Sequence, residues 1–335
     1  MSSGLVSVIT PCYNAGHLVH RLFDSILSQT YPHIEVIAVN DGSTDNTAEV
    51  IQSYYSKFDE KGYKLIMLSQ DNQGMAVAIN NALKHVKGDF IVWPDSDDFY
   101  DADYTIEKMV AALTEASSEF AVVRIIKRVV DEVTMQEIQR SGSNAKFCED
   151  RLLFEDCLFI QNGFYFCAGA YMVRANALRE QTLMNIYTHK DTGQNWQLLL
   201  PVLYKYRCLT LKSILYNVVA RMDSHSRSGN SVYEREFRRT KVYELTVLNT
   251  LDRIKEMPES DVKDYKSKIK IKYSKERLDL AYSYRRRDDF LLEYSKFACM
   301  QKKGLSGKLR LRYFAVRTHT EGLLDLLFSI KRRIL

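Results

Sequence analysis

DFIVWPDSDD, residues 89–98, is an apolar run that breaks at Pro94 into four acidic or hydroxyl-bearing side chains. A short β-branched and aromatic stretch bounded by proline reads as a buried strand. The same pattern recurs three times upstream. Leu5–Thr10 (LVSVIT) ends at Pro11-Cys12-Tyr13-Asn14, Ile34–Val39 (IEVIAV) runs into Asn40-Asp41-Gly42-Ser43, and Lys64–Leu68 (KLIML) precedes Asp71-Asn72-Gln73-Gly74. Between these strands lie helical stripes: Leu18, Leu22 and Ile26; Ala48, Ile51, Tyr55 and Phe58; Met75, Ile79, Ala82, Leu83 and Val86. Strands of about five residues alternating with helices predict βαβ units, hence an α/β fold with a mostly parallel sheet flanked by helices. Ligands of such sheets sit beyond the carboxyl ends of the strands. The four polar clusters therefore converge on one edge.

In extended chain, side chains two apart share a face, which predicts that Asp95 and Asp97 point the same way. Two neighbouring carboxylates repel unless a cation lies between them. Hard divalent cations prefer oxygen, and Mg²⁺ is commonly held by one or two carboxylates plus substrate phosphates. At about 4 Å and an effective dielectric of about 20, each unit charge pair is worth roughly 4 kcal/mol. That suffices to hold a diphosphate through a bridging metal where bare carboxylates would repel it.

Taken in order, VSVITPCYN (6–14), VNDGSTDNT (39–47), Asn72-x-Gly74 and Asp95-Ser96-Asp97-Asp98 resemble the family 2 glycosyltransferases of the GT-A fold, over roughly residues 5–227. The resemblance implies a Rossmann-like nucleotide-binding half and inverting transfer of a sugar from a nucleotide diphosphate sugar. It implies that Pro11, Tyr13, Asn14 and Asp41 hold the nucleotide base, with uracil favoured. Asn72, Gly74, Asp95 and Ser96 complete the donor site, and Asp95 faces the ribose or the sugar. Asp97 is implied as the ligand of Mn²⁺ or Mg²⁺. Asp98 is a possible cap of the following helix. Arg221 and His225, in a segment similar to one that closes over the diphosphate, would neutralise phosphate or complete the metal sphere.

One part of the pattern departs. The family opens a helix after the acceptor region with a carboxylate pair that supplies the general base, and here Gln194-Asn195 follow Gly193. Neither amide can take a proton near neutral pH. Three readings stay open: Asp191 as base, an unaligned carboxylate such as Glu155 or Asp156, or an impaired transferase. Trp196 reads as a core aromatic, and Gly169 as a place where an acceptor could approach the backbone.

The 335 residues are 46% hydrophobic and 27% charged, which excludes disorder, collagen-like repeats and a many-pass membrane protein. Residues 231–335 carry 26 basic and 15 acidic side chains, leaving 21 basic and 27 acidic in the first 230. An acidic body thus joins a basic, helical tail. The predicted domains are 1–227, the glycosyltransferase domain, and 228–335, a basic helical region. Phe120–Val130 reads as a strand, 131–150 as a polar loop and Asn195–Leu209 as a helix. The closing segment, Gly322–Leu335, has an apolar face and three cations, which fits an anionic bilayer surface. Nucleic acid is not expected, because no binding motif accompanies the charge. Six cysteines without a C-x-x-C pair, and an N-terminus without a secretory pattern, point to reduced thiols in the cytoplasm and allow a peripheral place at the inner membrane face. The function expected is a hexosyl- or N-acetylhexosaminyl-transferase acting on a glycan or lipid-linked acceptor, for surface polysaccharide. The alternative is a catalytically weak nucleotide-sugar-binding or scaffold subunit.

Overall fold

The computed structural model describes residues 4–140, 152–182, 184–189, 191–221, 231–301 and 304–326. The chain forms two compact units, one of residues 1–225 with 246–259, the other of residues 226–245 with 260–335.

The first unit is built on a mixed sheet. Strands β1 (Val6–Cys12), β2 (Ile34–Asp41), β3 (Lys64–Gln70) and β4 (Phe90–Val92) run parallel in the order β3-β2-β1-β4. The sheet continues through β8 (Tyr171–Arg174), β6 (Phe120–Asp131), β9 (Arg207–Ala220) and β5 (Phe99–Tyr100). β8 is antiparallel to both β4 and β6, whereas β9 runs parallel to β6. Every residue of β2 is buried, as expected of a strand covered on both faces. The covering helices of this half are α1 (Val19–Leu27), α2 (Thr47–Ser53), α3 (Tyr55–Glu60), α4 (Met75–Leu83) and α5 (Thr105–Glu115).

A buried carboxyl group lies where β1, β2 and the entry to β4 meet. Glu35 of β2 is 2% exposed, and its Oε1 accepts the Ser7 hydroxyl at 2.5 Å and the Lys87 amide at 2.8 Å. Ser7 Oγ in turn accepts the Gly88 amide at 2.9 Å. The network pins the turn that enters β4 to β1 and β2, so the strands start in register and end on one edge.

Four expectations are corrected. The 48–58 stripe is two helices, because the chain bends at Tyr54, whose hydroxyl bonds Asp24 at 2.8 Å while its ring packs edge-on against Phe23. The 195–209 helix stops early. Helix α8 is Asn195–Lys205, and from Arg207 the chain pairs with β6, so long-range ladder bonds override local helical preference. Within the polar stretch, β7 (Glu137–Arg140) pairs with β6, and it gave no strand signal because all four residues are exposed. Asp95–Asp98 is a turn rather than extended chain, with the Asp98 amide donating to the Asp95 carbonyl at 3.3 Å. The chain must reverse there to enter β5, which pairs antiparallel with β9.

Helices α6 (Phe154–Phe159) and α7 (Ala175–Gln181) complete the first unit, together with the 246–259 segment. In that segment the Lys255 amide bonds the Gln181 carbonyl at 3.2 Å, and Glu256 pairs with Lys205 at 2.9 Å.

The second unit consists of most of α9 (Val232–Leu251), with α10 (Glu259–Ser283), α11 (Arg287–Met300) and α12 (Gly307–Thr318). Its core joins Tyr233, Leu278, Ala281, Tyr282, Phe290, Phe297 and Val316. Beside it, buried Arg277 bonds Glu293 at 2.9 Å and Glu244 at 2.7 Å. No described helix is long and apolar enough to cross a membrane. Removing one member of a buried ion cluster strands the others, so Arg277→Ala is expected to destabilise this unit by about 3–5 kcal/mol. Urea unfolding followed by circular dichroism measures the loss.

Candidate active site

The loops after β1, β2 and β3 are bonded to one another. After β1, Asn14 takes the left-handed conformation (φ 48°), which asparagine tolerates better than most residues. Its amide donates to Ser43 Oγ at 3.0 Å, and its Oδ1 accepts the Thr44 amide at 2.9 Å. The next two amides, of Ala15 and Gly16, donate to Thr47 Oγ1 at 2.8 Å and Asp45 Oδ2 at 3.0 Å. Partial burial works to raise the Asp45 carboxyl, but bonds from the Thr47 hydroxyl and the Gly16 and Thr47 amides outweigh it and hold it below its ordinary value.

Asp41, at the end of β2, is 4% exposed and points at the third loop. Its Oδ1 accepts Gln70 Nε2 at 2.7 Å and the Gln73 amide at 2.9 Å, and its Oδ2 accepts the Gly74 amide at 2.9 Å. Gly74 (φ 90°) opens α4, and Gly42 (φ 69°) lies so close to Asn72 that a Cβ there would fall 2.5 Å from the Asn72 amide nitrogen. Both glycines are required by conformation. Pro11, Tyr13, Asn14, Asp41, Asn72 and Gly74 are therefore held on one connected frame. Pro11, Tyr13 and Gly74 are half-buried, and Asn72 is exposed.

The fourth strand end faces a different set of partners. Trp93, fully buried, donates Nε1 to Asn195 Oδ1 at 3.0 Å, and Gln194 Nε2 donates to Asp95 Oδ1 at 3.3 Å. The two amides that stand where carboxylates were expected thus clamp the N-terminus of α8 to the tip of β4. Arg221 pairs with Asp97 at 3.0 Å. Asp98 Oδ1 accepts the Val219 amide of β9 at 2.9 Å. Asp98 is thereby tied to a strand and caps no helix. Ser96 shares the turn with Asp97 and is half-buried.

Three carboxyls crowd this turn. Burial pushes the Asp95 carboxyl up to about 7, with the Asp97 charge adding to it against the opposing bond from Gln194. Burial, then the charges of Asp97 and Asp95, raise Asp98 well above the usual carboxylate range, and Lys127 opposes them. Among the described residues no group of three metal-ligating side chains forms a closed metal site. The donor set still suits a hard divalent cation held partly by substrate oxygens, because mutually repelling carboxylates are what such a cation relieves.

Other expected residues lie apart. Asp191 is exposed on the loop before α8, three positions ahead of Gln194. The loop itself is fixed, with Thr192 Oγ1 donating to the His189 carbonyl at 2.9 Å and Gln197 Nε2 donating to the Gly193 carbonyl at 3.0 Å. Asp156 is buried and accepts Asn162 Nδ2 at 2.7 Å, while Glu155 is exposed. Trp196 is a core aromatic whose Nε1 donates to the Cys157 carbonyl at 3.0 Å. Gly169 lies beneath the Tyr216 ring, 2.2 Å from where a Cβ would stand, so internal packing accounts for it. His225, Lys302, Lys303 and residues 327–335 lie outside the described residues. Sequence reasoning missed the partnership of α8 with β4. Its one visible signal was the amide pair at a helix start.

Comparisons with known proteins agree with this frame. Residues 7–182 match the family model described as "Glycosyl transferase family 2". A putative teichuronic acid biosynthesis glycosyltransferase, TuaG of Bacillus subtilis, is 40% identical over 117 residues, covering 35% of this chain and 45% of that protein. The matched stretch spans less than half the length of the curated relatives it resembles. Among solved structures, S. aureus TarS 1-349 in complex with UDP-GlcNAc superposes with a TM-score of 0.61 at 19% identity, over 95% of this chain and 88% of that one. The mannosyltransferase PcManGT of Pyrobaculum calidifontis, in complex with GDP-Man and Mn²⁺, gives 0.53 at 17% identity, over 97% and 88%. At these identities the structural likeness speaks for the fold: a curled α/β sheet flanked by helices, followed by a helical region, of the GT-A type. With the family model spanning more than half of the chain, on the same strand ends that build the polar edge, the protein belongs to glycosyltransferase family 2.

Proposed function

We propose that the protein is an inverting glycosyltransferase that moves a hexosyl or N-acetylhexosaminyl group from a nucleotide diphosphate sugar, UDP-linked by preference, to a glycan or lipid-linked acceptor of surface polysaccharide synthesis. The observation that carries this reading is the bonded frame of three loops standing beside an acidic turn on one sheet edge. Tyr13 and Pro11 offer apolar surface to a base. Asp41 already accepts three bonds on two oxygens that together offer about four acceptor sites, which leaves room for one imide N–H.

Asp97, with Asp95 and His225, would hold Mn²⁺ or Mg²⁺. Bound there, the ion would supply Lewis-acid stabilisation of the departing diphosphate. Arg221, already at the turn, adds a guanidinium suited to phosphate oxygens. Ser96 and Asn72 border the donor. The acceptor hydroxyl attacks the anomeric carbon as the bond to the diphosphate breaks, and a base removes its proton. Asp191 is the proposed base: it is exposed, and it lies on a fixed loop directly ahead of the helix that touches the acidic turn.

A second reading, a nucleotide-sugar-binding subunit with weak turnover, draws on the clamp of Gln194 and Asn195, which puts amides where a base would stand.

Residues 1–227 form the catalytic part in this reading, and 228–335 a basic appendage that meets an anionic membrane surface. Helix α12 supports it by exposing Leu311 (51%) and Phe314 (65%) alongside the exposed cations Lys308, Arg310 and Arg317. Each cation near such a surface contributes about 1 kcal/mol.

Asp97→Ala is expected to abolish the Mn²⁺-dependent part of UDP binding measured by calorimetry; affinities unchanged with and without Mn²⁺ would refute the metal role. Asp191→Ala is expected to lower transfer at least a hundredfold while donor binding holds. Tight donor binding by the wild type without turnover on any acceptor would favour the second reading. Leu311→Ser with Phe314→Ser is expected to reduce flotation with phosphatidylglycerol vesicles, and equal flotation of variant and wild type would count against the membrane role.

A further inference from the structure

Gln194 holds a buried amide that is half satisfied. The residue is 1% exposed, its Nε2 donates to Asp95 at 3.3 Å, and among the described residues its Oε1 has no hydrogen-bond partner. Turning the amide over would set its oxygen against the Asp95 carboxyl oxygen, so the orientation with Nε2 donating is the one the contact supports. Buried polar groups are nearly always paired, so an orphan calls for a partner that binds from outside the chain. The two amide heteroatoms share one carbon, which sets the orphan beside the Asp95 carboxyl at the N-terminus of α8.

We infer that Gln194 reads the sugar of the donor: its unpaired amide oxygen accepts a ring hydroxyl or an acetamido N–H of the donated residue while its Nε2 keeps hold of Asp95. The inference rests on the donor reading above and adds the residue that discriminates the sugar. Chemistry favours an amide here. It can bond Asp95 without adding a further carboxyl to the crowded turn of Asp95, Asp97 and Asp98, and it presents a neutral acceptor to a neutral ring. Oε1 is itself enclosed, and the sugar would reach it from the side of half-buried Asp95 as that side opens to the ligand. The frame around Asn14 and Asp41 is built from other loops, so the nucleotide base does not touch this amide, whereas the diphosphate side shares Asp95 with it.

The test is calorimetry with Mn²⁺ on UDP, GDP, UDP-glucose, UDP-N-acetylglucosamine and GDP-mannose, using wild type, Gln194→Leu and Gln194→Met. The second, flexible substitution guards against a packing failure of the first. For the sugar nucleotide that wild type binds, each variant is expected to weaken binding at least tenfold more than it weakens binding of the matching bare diphosphate. Equal weakening of both ligands would make Gln194 a structural clamp and overturn the inference, as would sugar-nucleotide affinity that does not change. Wild type that binds no nucleotide at all would overturn the donor reading, and this inference with it.

Discussion

The Asp41 carboxylate is the brace on which the polar edge depends. It is almost fully buried at the end of a fully buried strand, and its oxygens gather two backbone amides from the β3–α4 loop and the side-chain amide of Gln70 at the end of β3. A buried carboxylate left without donors is costly. This one is satisfied only if Gln73 and Gly74 present their N–H groups, which requires the positive φ of Gly74 and the close approach of Gly42 to Asn72. The charge and the loop geometry therefore determine each other. Asn14 extends the brace to the β1 loop, so three strand ends form one rigid rim.

The fourth strand end follows the opposite logic. Asp95, Asp97 and Asp98 stand on one tight turn, and burial and mutual repulsion raise two of them. Among the described residues their partners include Gln194, Arg221 and the Val219 amide. Unrelieved repulsion of this kind is what a fold tolerates where a ligand supplies the missing charge. The satisfied rim and the unsatisfied turn are thus complementary, one giving shape and the other giving electrostatic demand.

The second unit obeys a third rule. Its helices are polar over most of their length, and its core is a small aromatic cluster braced by the Arg277, Glu244 and Glu293 ion pairs. The excess positive charge stays on the outside, where α12 adds exposed Leu311 and Phe314 to it.

Much of this was legible before folding. The alternation of short apolar strands with helical stripes determined the α/β half, and the polar residues after each strand marked the candidate site, because parallel strands must end on the same edge. Tertiary structure alone decided the rest. Whether Arg207–Ala220 is helix or strand depends on a partner, β6, that lies far away in sequence. Whether Asp95 and Asp97 share an extended face or a turn depends on the return into β5. That Gln194 and Asn195 grip β4 could not be read from two amides at a helix start, since hydrogen bonds between residues about a hundred positions apart leave no periodicity in the chain. Local pattern records which face of an element is buried, whereas the identity of what buries it exists only once the elements have packed.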